Sequence, residues 1–311
     1  MFEHILAEIQ KFNRIIIHRH SKPDGDAMGS QIGLKHIILA NFPEKEVFTV
    51  GDSSTYTAFM EDSTMDVLPD EAFHGALSII LDTSARHLIC DNRYTLAERT
   101  VRMDHHIFVE TIADVEVTDT SFESCCGLIT AFAVECGLKL TPLAAKSLYT
   151  GMVTDSGRFR YDSTSAQTFR MASVLLEQPF DINEIYRNLY ADNYESRKLK
   201  AVFTLKIQFT PKNVAYIFTS AEEMQELNVD TFTISRGMVG TMADMKGVDI
   251  WVNFTETEAG ILSELRSSRF NINPIAVKYG GGGHAKASGA CLKTREEMYQ
   301  MLSDLDALME E

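Results

Sequence analysis

His20, Asp24 and Asp26 stand in the spacing His-x-x-x-Asp-x-Asp directly after the apolar run Ile15-Ile16-Ile17. An imidazole and two carboxylates on a short loop can converge on one small volume. Hard oxygen donors mixed with imidazole suit ions such as Mn, Fe, Zn or Mg. Gly25, between the two aspartates, would give that loop a tight bend. Alone, the fragment reads as turn and helix-cap chemistry, which aspartate commonly supplies. Its company changes the reading. Asp82 ends the apolar run from Ala76 to Leu81, Asp104-His105-His106 ends Val101-Arg102-Met103, and Asp155 follows Met152-Val153. Carboxylates gathered from four parts of the chain would repel one another and take up protons unless cations neutralised them. A pair of divalent metal ions is the simplest physical resolution.

The elements that must position these residues alternate. An apolar stretch ends at His20 and a helical pattern runs from Asp26 to about Ala40. Further strand-like segments follow at 47–50, 76–81 and 101–103. Strands alternating with helices predict an α/β fold, a parallel sheet with helices on both faces. In such sheets ligands collect beyond the carboxyl ends of the strands, where His20, Asp82 and Asp104 fall. Helical spacing returns over 125–136, 142–153 and 163–176. One long helix is expected over 194–209 as a connector. Beyond it come a strand (214–219), helices (221–227 and 234–245), two strands (248–254 and 260–266), a helix from Asn273 and a last amphipathic helix over 294–309. The expected organisation is a domain over 1–190, a helical connector over 191–212 and a smaller α/β domain with a mixed sheet over 213–311.

A length of 311 residues suits two cores, and no stretch reaches the run of apolar residues that a membrane span needs. The N-terminal stretch reads as an amphipathic helix rather than an export signal. Five cysteines, an odd number without a CxxC pair, read as reduced thiols in the cytoplasm. A formal charge of −15 has the wrong sign for holding long nucleic acid, yet allows a local basic pocket for a short phosphorylated ligand. Such a pocket has a candidate in Gly280-Gly281-Gly282-Gly283-His284. Consecutive glycines expose backbone N–H groups to an anion, although a glycine run is more often only a turn. Here Arg266-Ser267-Ser268-Arg269 precedes it with anion-binding side chains. Lys286-Ala287-Ser288-Gly289 follows with small residues that leave room.

The ordered set His20-x3-Asp24-x-Asp26, Asp82, Asp104-His105-His106, Asp155 and Gly280 to His284 resembles the DHH phosphoesterase superfamily in its DHH/DHHA1 form, over about residues 13 to 291. The resemblance implies one metal on His20, Asp24 and Asp82, and a second on Asp26, Asp82, His105 and Asp155, with Asp82 shared. Mn²⁺ is the expected ion, Mg²⁺ or another divalent ion the substitute. Two such cations activate a water and neutralise the phosphate, so hydroxide rather than a side chain is the nucleophile. Asp104 would support His105 from behind and His106 would face the phosphate. His18 shares a strand face with His20 and is expected to be structural or supporting. Arg158, close after Asp155, is a candidate phosphate clamp. In the second domain the family likeness implies substrate recognition by Arg266, Ser267, Gly281, Gly282, Gly283 and His284. The implied partners are short nucleotides: di- to tetranucleotide RNA, linear dinucleotides such as pApA, and 3′-phosphoadenosine 5′-phosphate. Long nucleic acid and membranes are not expected, and an apolar helix face could form a homodimer. The alternatives are a cyclic di-AMP phosphodiesterase and a non-catalytic nucleotide sensor of the same fold.

Overall fold

A computed structural model describes residues 2–309, so Met1 of the expected N-terminal helix lies outside the described residues. The chain divides into two compact units, the first ending at Ala191 and the second beginning at Asp192.

The first unit opens with α1 (Glu3–Lys11), β1 (Arg14–His18), α2 (Gly25–Asn41) and β2 (Glu46–Thr49). Next come β3 (Leu77–Leu81), β4 (Arg99–Asp104) and β5 (Val115–Thr118), then α3 (Cys125–Glu135), α4 (Pro142–Asp155), α5 (Ala166–Leu176) and α6 (Ile182–Tyr190). The five strands form a wholly parallel sheet in the order β2-β1-β3-β4-β5. The order reverses between β1 and β3, the place where such sheets open a crevice for ligands. Strands β1 and β3 are buried on both faces: Ile15, Ile17 and Ile79 share one core with Leu34, Leu128 and Leu148 of the helices, while Ile16 packs with Phe73, and Ile80 with Ile89 and Tyr94, in or beside 3-10 turns. Side-chain caps start each long helix: Asp24 at α2, Ser124 at α3, Thr141 with Pro142 at α4, and a Ser165–Thr168 capping box at α5. Strand β5 and helix α6 were not expected from the sequence. The strand alternates charged and half-buried residues at the sheet edge, and the helix is short.

The second unit comprises α7 (Tyr194–Leu205), β6 (Gln208–Phe209), β7 (Ala215–Thr219), α8 (Ala221–Leu227), β8 (Ile250–Thr257) and β9 (Gly260–Ser267), followed by α9 (Asn273–Lys278), β10 (Gly282–His284), β11 (Ala287–Leu292) and α10 (Arg295–Leu308). Its sheet has the order β10-β11-β9-β8-β7-β6 and is antiparallel except between β7 and β8.

Three expectations change. The helix expected over 194–209 stops at Leu205, because Gln208 and Phe209 pair with Tyr216 and Ala215. Phe203 of that helix is fully buried with Ala215, Ile217 and Ile234, so the segment is part of the second core. The helix expected over 234–245 is a π-helical turn at Thr233–Gly237 leading to a 3-10 turn at Gly240–Met242. There the buried Asn253 amide donates to the carbonyls of Ile234 and Ser235, satisfying groups in this irregular segment. The glycine run, expected as an interruption in a helix, enters the sheet as β10.

Candidate functional site

At the carboxyl edge of the first sheet the structure brings together His20, Asp24, Asp26, Asp82, His105, His106 and Asp155. Three groups have donor atoms within 4.8 Å of one another: His20 with Asp24 and Asp82, Asp26 with His105 and Asp155, and Asp82 with His105 and His106. Asp82 sits at the centre, with Oδ2 3.4 Å from His20 Nε2 and Oδ1 3.4 Å from His105 Nε2. His105 Nε2 lies 3.5 Å from Asp155 and 3.7 Å from Asp26. Asp82 carries a left-handed φ of 48°, and its N–H donates to Met103 O at 3.1 Å. The strained residue is thus pinned to β4 at the point where β3 ends.

Backbone and side-chain partners orient each ligand. His20 Nδ1 donates to Ser21 O at 2.9 Å, and His105 Nδ1 donates to Phe122 O at 3.3 Å. In both rings the other nitrogen faces the carboxylates. Asp26 is completely buried, and its oxygens accept from the N–H groups of Cys125 and Cys126 in the first turn of α3. Asp104, also buried, pairs with the buried Arg102 and accepts from His106 Nδ1 at 2.7 Å. This corrects the expectation for Asp104: it supports His106, not His105. His18 is buried, its Nε2 3.1 Å from Ser78 Oγ, between Phe73 and Tyr94; burial lowers it to about 4, so it is a neutral core residue.

The donor set fits divalent cations. Burial, with Asp82 and Asp155 nearby, pushes the Asp26 carboxyl well above the usual range. Asp155 rises to about 7 through burial and the negative charges of Asp82 and Asp24, which outweigh the opposing pull of His105. Burial disfavours the charged form of His20, but hydrogen bonds to Asp24 and Asp82 win and lift it to about 11. His105 rises to about 10 by the same opposition of burial and Asp82. Asp82 Oδ1 is buried without a hydrogen bond, an acceptor suited to a cation.

Two supports escaped the sequence reading. Arg19 is fully buried; its Nε donates to Gln31 Oε1 at 2.9 Å and its Nη1 to His20 O at 3.1 Å. It also holds Asp52, which accepts from Lys22 N at 2.8 Å, so one guanidinium braces the start of the ligand loop at His20 directly and at Lys22 through Asp52. The second support is a glycine seam. Gly25 does not make the tight bend expected of it, since its φ is not left-handed; a Cβ there would strike Thr154. Gly29 and Gly33 likewise admit Ser147 and Leu148, and Gly151 of α4 admits Asp26 and Cys126. Gly25-x3-Gly29-x3-Gly33 spacing in the sequence was the available signal. This close approach of α2 and α4 sets Asp155 beside Asp26. Gly29→Leu is expected to cost about 1–3 kcal/mol through overpacking and to weaken metal binding. Thermal melts with and without Mn²⁺ read both effects; unchanged metal binding would refute the coupling.

In the second unit, register puts Arg266 opposite Ala287 and Ala287 opposite His284. Directly paired residues share a sheet face, so Arg266 and His284 stand on one face two strands apart, about 10 Å. The small Ala287 lies between them. Arg266 Nη1 is 3.2 Å from Glu264 on the same face, and His284 is exposed. Gly281 and Gly283 are required because a Cβ would strike β11 backbone, whereas Gly282 has open space. Gly281 N–H is already bonded to Ala276 O at 2.9 Å. Ser267 differs from expectation: it is buried and its Oγ accepts from Arg269 N and Phe270 N, closing the turn after β9. Arg158 is exposed over the ring of Tyr190, outside the three ligand groups.

Residues 14–152 match the DHH family, N-terminal domain, and residues 214–311 match the DHHA1 domain. The chain is 36% identical over 308 residues to a "Probable bifunctional oligoribonuclease and PAP phosphatase NrnA" of Streptococcus mutans, covering 98% of each protein. It is 33% identical to the "Bifunctional oligoribonuclease and PAP phosphatase NrnA" of Bacillus subtilis, over 99% of this chain and 98% of that one. The crystal structure of an exopolyphosphatase-related protein from Bacteroides fragilis superposes with a TM-score of 0.85 at 26% identity, covering 100% of this chain and 97% of that one. With the histidine–aspartate cluster in its first unit and the glycine–histidine strand in its second, the chain belongs to the DHH family and carries a DHHA1 domain.

Proposed function

We propose that the chain is a metal-dependent phosphoesterase of short nucleotides. It cleaves short oligoribonucleotides or linear dinucleotides such as pApA and dephosphorylates 3′-phosphoadenosine 5′-phosphate. The position of Asp82 carries this reading, because its two oxygens face different ligand groups, as a carboxylate shared between two ions must. The names of the relatives supply the substrate class. His20, Asp24 and Asp82 would hold one ion and Asp26, Asp82, His105 and Asp155 the other, with Mn²⁺ expected at both. When bound, such ions activate water and neutralise phosphate charge.

The chain's own groups orient and exchange protons. His106 has its Nδ1 committed to Asp104, which leaves Nε2 on a side chain 44% exposed to donate to the phosphate or the departing oxygen. Its hydrogen bond to Asp104 raises its affinity for a proton, favouring the donor form. Arg266 and His284, on one face with Ala287 between them, recognise the nucleotide. The five thiols, free of disulfides, suit a cytoplasmic protein. No helix among the described residues is long and apolar enough to cross a membrane.

A panel with Mn²⁺ tests the reading: pApA, longer RNA, cyclic di-AMP, 3′-phosphoadenosine 5′-phosphate and pyrophosphate. Preference for pApA and 3′-phosphoadenosine 5′-phosphate is expected; turnover of pyrophosphate alone, or of nothing, would overturn it. His284→Ala is expected to raise KM for pApA about tenfold or more while changing hydrolysis of a minimal aryl phosphodiester far less. Equal effects on both substrates would remove His284 from recognition.

A further inference from the structure

Just after Asp155 the chain turns through Gly157, Arg158 and Phe159 with φ values of 56°, 64° and 61°. Two of these residues carry a Cβ, for which that conformation is unfavourable. Surrounding bonds hold it in place. Arg158 N donates to Val153 O at 2.8 Å, and Phe159 N donates to the Oγ of buried Ser156 at 2.9 Å. Phe159 is anchored inward, its ring 5.8 Å from Tyr149 and 5.6 Å from Phe169. With its neighbour fixed in this way, Arg158 projects outward, its Cζ 4.7 Å from the centroid of the Tyr190 ring. Tyr161, largely exposed, lies against Gly157, where a Cβ would collide with its ring.

In a chain of net charge −15, this guanidinium has no carboxylate partner among the described residues. The guanidinium lies over the Tyr190 ring on an exposed side chain. The strained turn that carries Arg158 begins two residues after Asp155, one of the carboxylates of the cluster. Arginine and aromatic faces are the surfaces on which unpaired bases stack.

We propose that Arg158, backed by Tyr190 and flanked by Tyr161, is a nucleobase platform in the first unit. The base of a nucleotide joined to the scissile phosphate stacks on the guanidinium face opposite Tyr190, while the guanidinium edge hydrogen-bonds a phosphate oxygen. This rests on the function proposed above, and adds a base contact on the same unit as the metal-type cluster.

The test uses the full chain loaded with Mn²⁺ and compares pApA with a dinucleotide in which one base has been removed from each position in turn. Arg158→Lys keeps the charge and loses the planar face; Tyr190→Leu loses the backing ring, and Tyr190→Phe keeps it. Arg158→Lys and Tyr190→Leu are expected to raise KM for pApA about tenfold, within the range that losing one stacked base allows. Tyr190→Phe should raise it less. Most of the increase should vanish for one of the two abasic substrates, which identifies the stacked base. If Arg158→Lys leaves KM for pApA at the wild-type value, or raises it equally for pApA and both abasic substrates, the platform is overturned. Failure of the wild-type protein to cleave any of these substrates would overturn the underlying function instead.

Discussion

Replacing Asp82 by Asn is expected to lower turnover of pApA by roughly a thousandfold or more while the fold survives. Asn is nearly isosteric, so the left-handed backbone at this position and its N–H bond to Met103 are retained. What is lost is the negative charge whose two oxygens face His20 on one side and His105 on the other. Without it neither of the proposed ion sites would keep its full ligand set. Asn can offer one carbonyl oxygen, and its amide group would point at a neighbouring donor or cation. The measurement is kcat with Mn²⁺, beside circular dichroism and a melt to show an intact fold. Activity within tenfold of the wild type would end the bridging assignment.

Chelation is expected to abolish activity and lower the melting temperature, and Mn²⁺ is expected to restore both. A ligand that binds only the native state at a hundredfold excess over Kd contributes about 2.7 kcal/mol. In a domain of this size that corresponds to about 5–10 °C. Protonation adds a sign that can be checked. Without metal, the surrounding carboxylates favour protonated His20 and His105 despite their burial, and burial favours a protonated Asp155. Metal ligands must shed these protons. Binding should therefore release protons, and apparent affinity should rise as pH increases from 6 to 8. Calorimetric titration in two buffers of different ionisation enthalpy measures the release. A pH-independent affinity without proton release would show that the cluster is not the metal site.

Much of the first unit was legible because its signals are local. Apolar runs ending in Asp82 and Asp104 mark strands that finish at one edge, and the alternation of strands with helices implies that these ends share an edge. The second unit was read less well. The glycine run became a strand only because Gly281 and Gly283 let β11 come within backbone contact, a pairing partner that local pattern does not reveal. The connector helix is shorter and less isolated than its local pattern implies, since Gln208 and Phe209 after it pair with β7 and Phe203 joins the second unit's core. Ser267 looked like an anion ligand beside Arg266, yet its hydroxyl closes a turn.

The sequence by itself determined the chemistry: which donors exist, that they are too acidic to gather without cations, and that the sheet collects them at strand ends. Tertiary structure decided how they are shared. Asp82 became central because β3 lies between β1 and β4, so its two oxygens look toward both neighbouring strand ends. Asp104 turned to His106 because a buried Arg102 two residues earlier lies on the same strand face. Asp155 reaches Asp26 because glycines remove the side chains that would hold α2 and α4 apart. Each is a matter of distance between segments remote in the chain, set by packing rather than by local propensity.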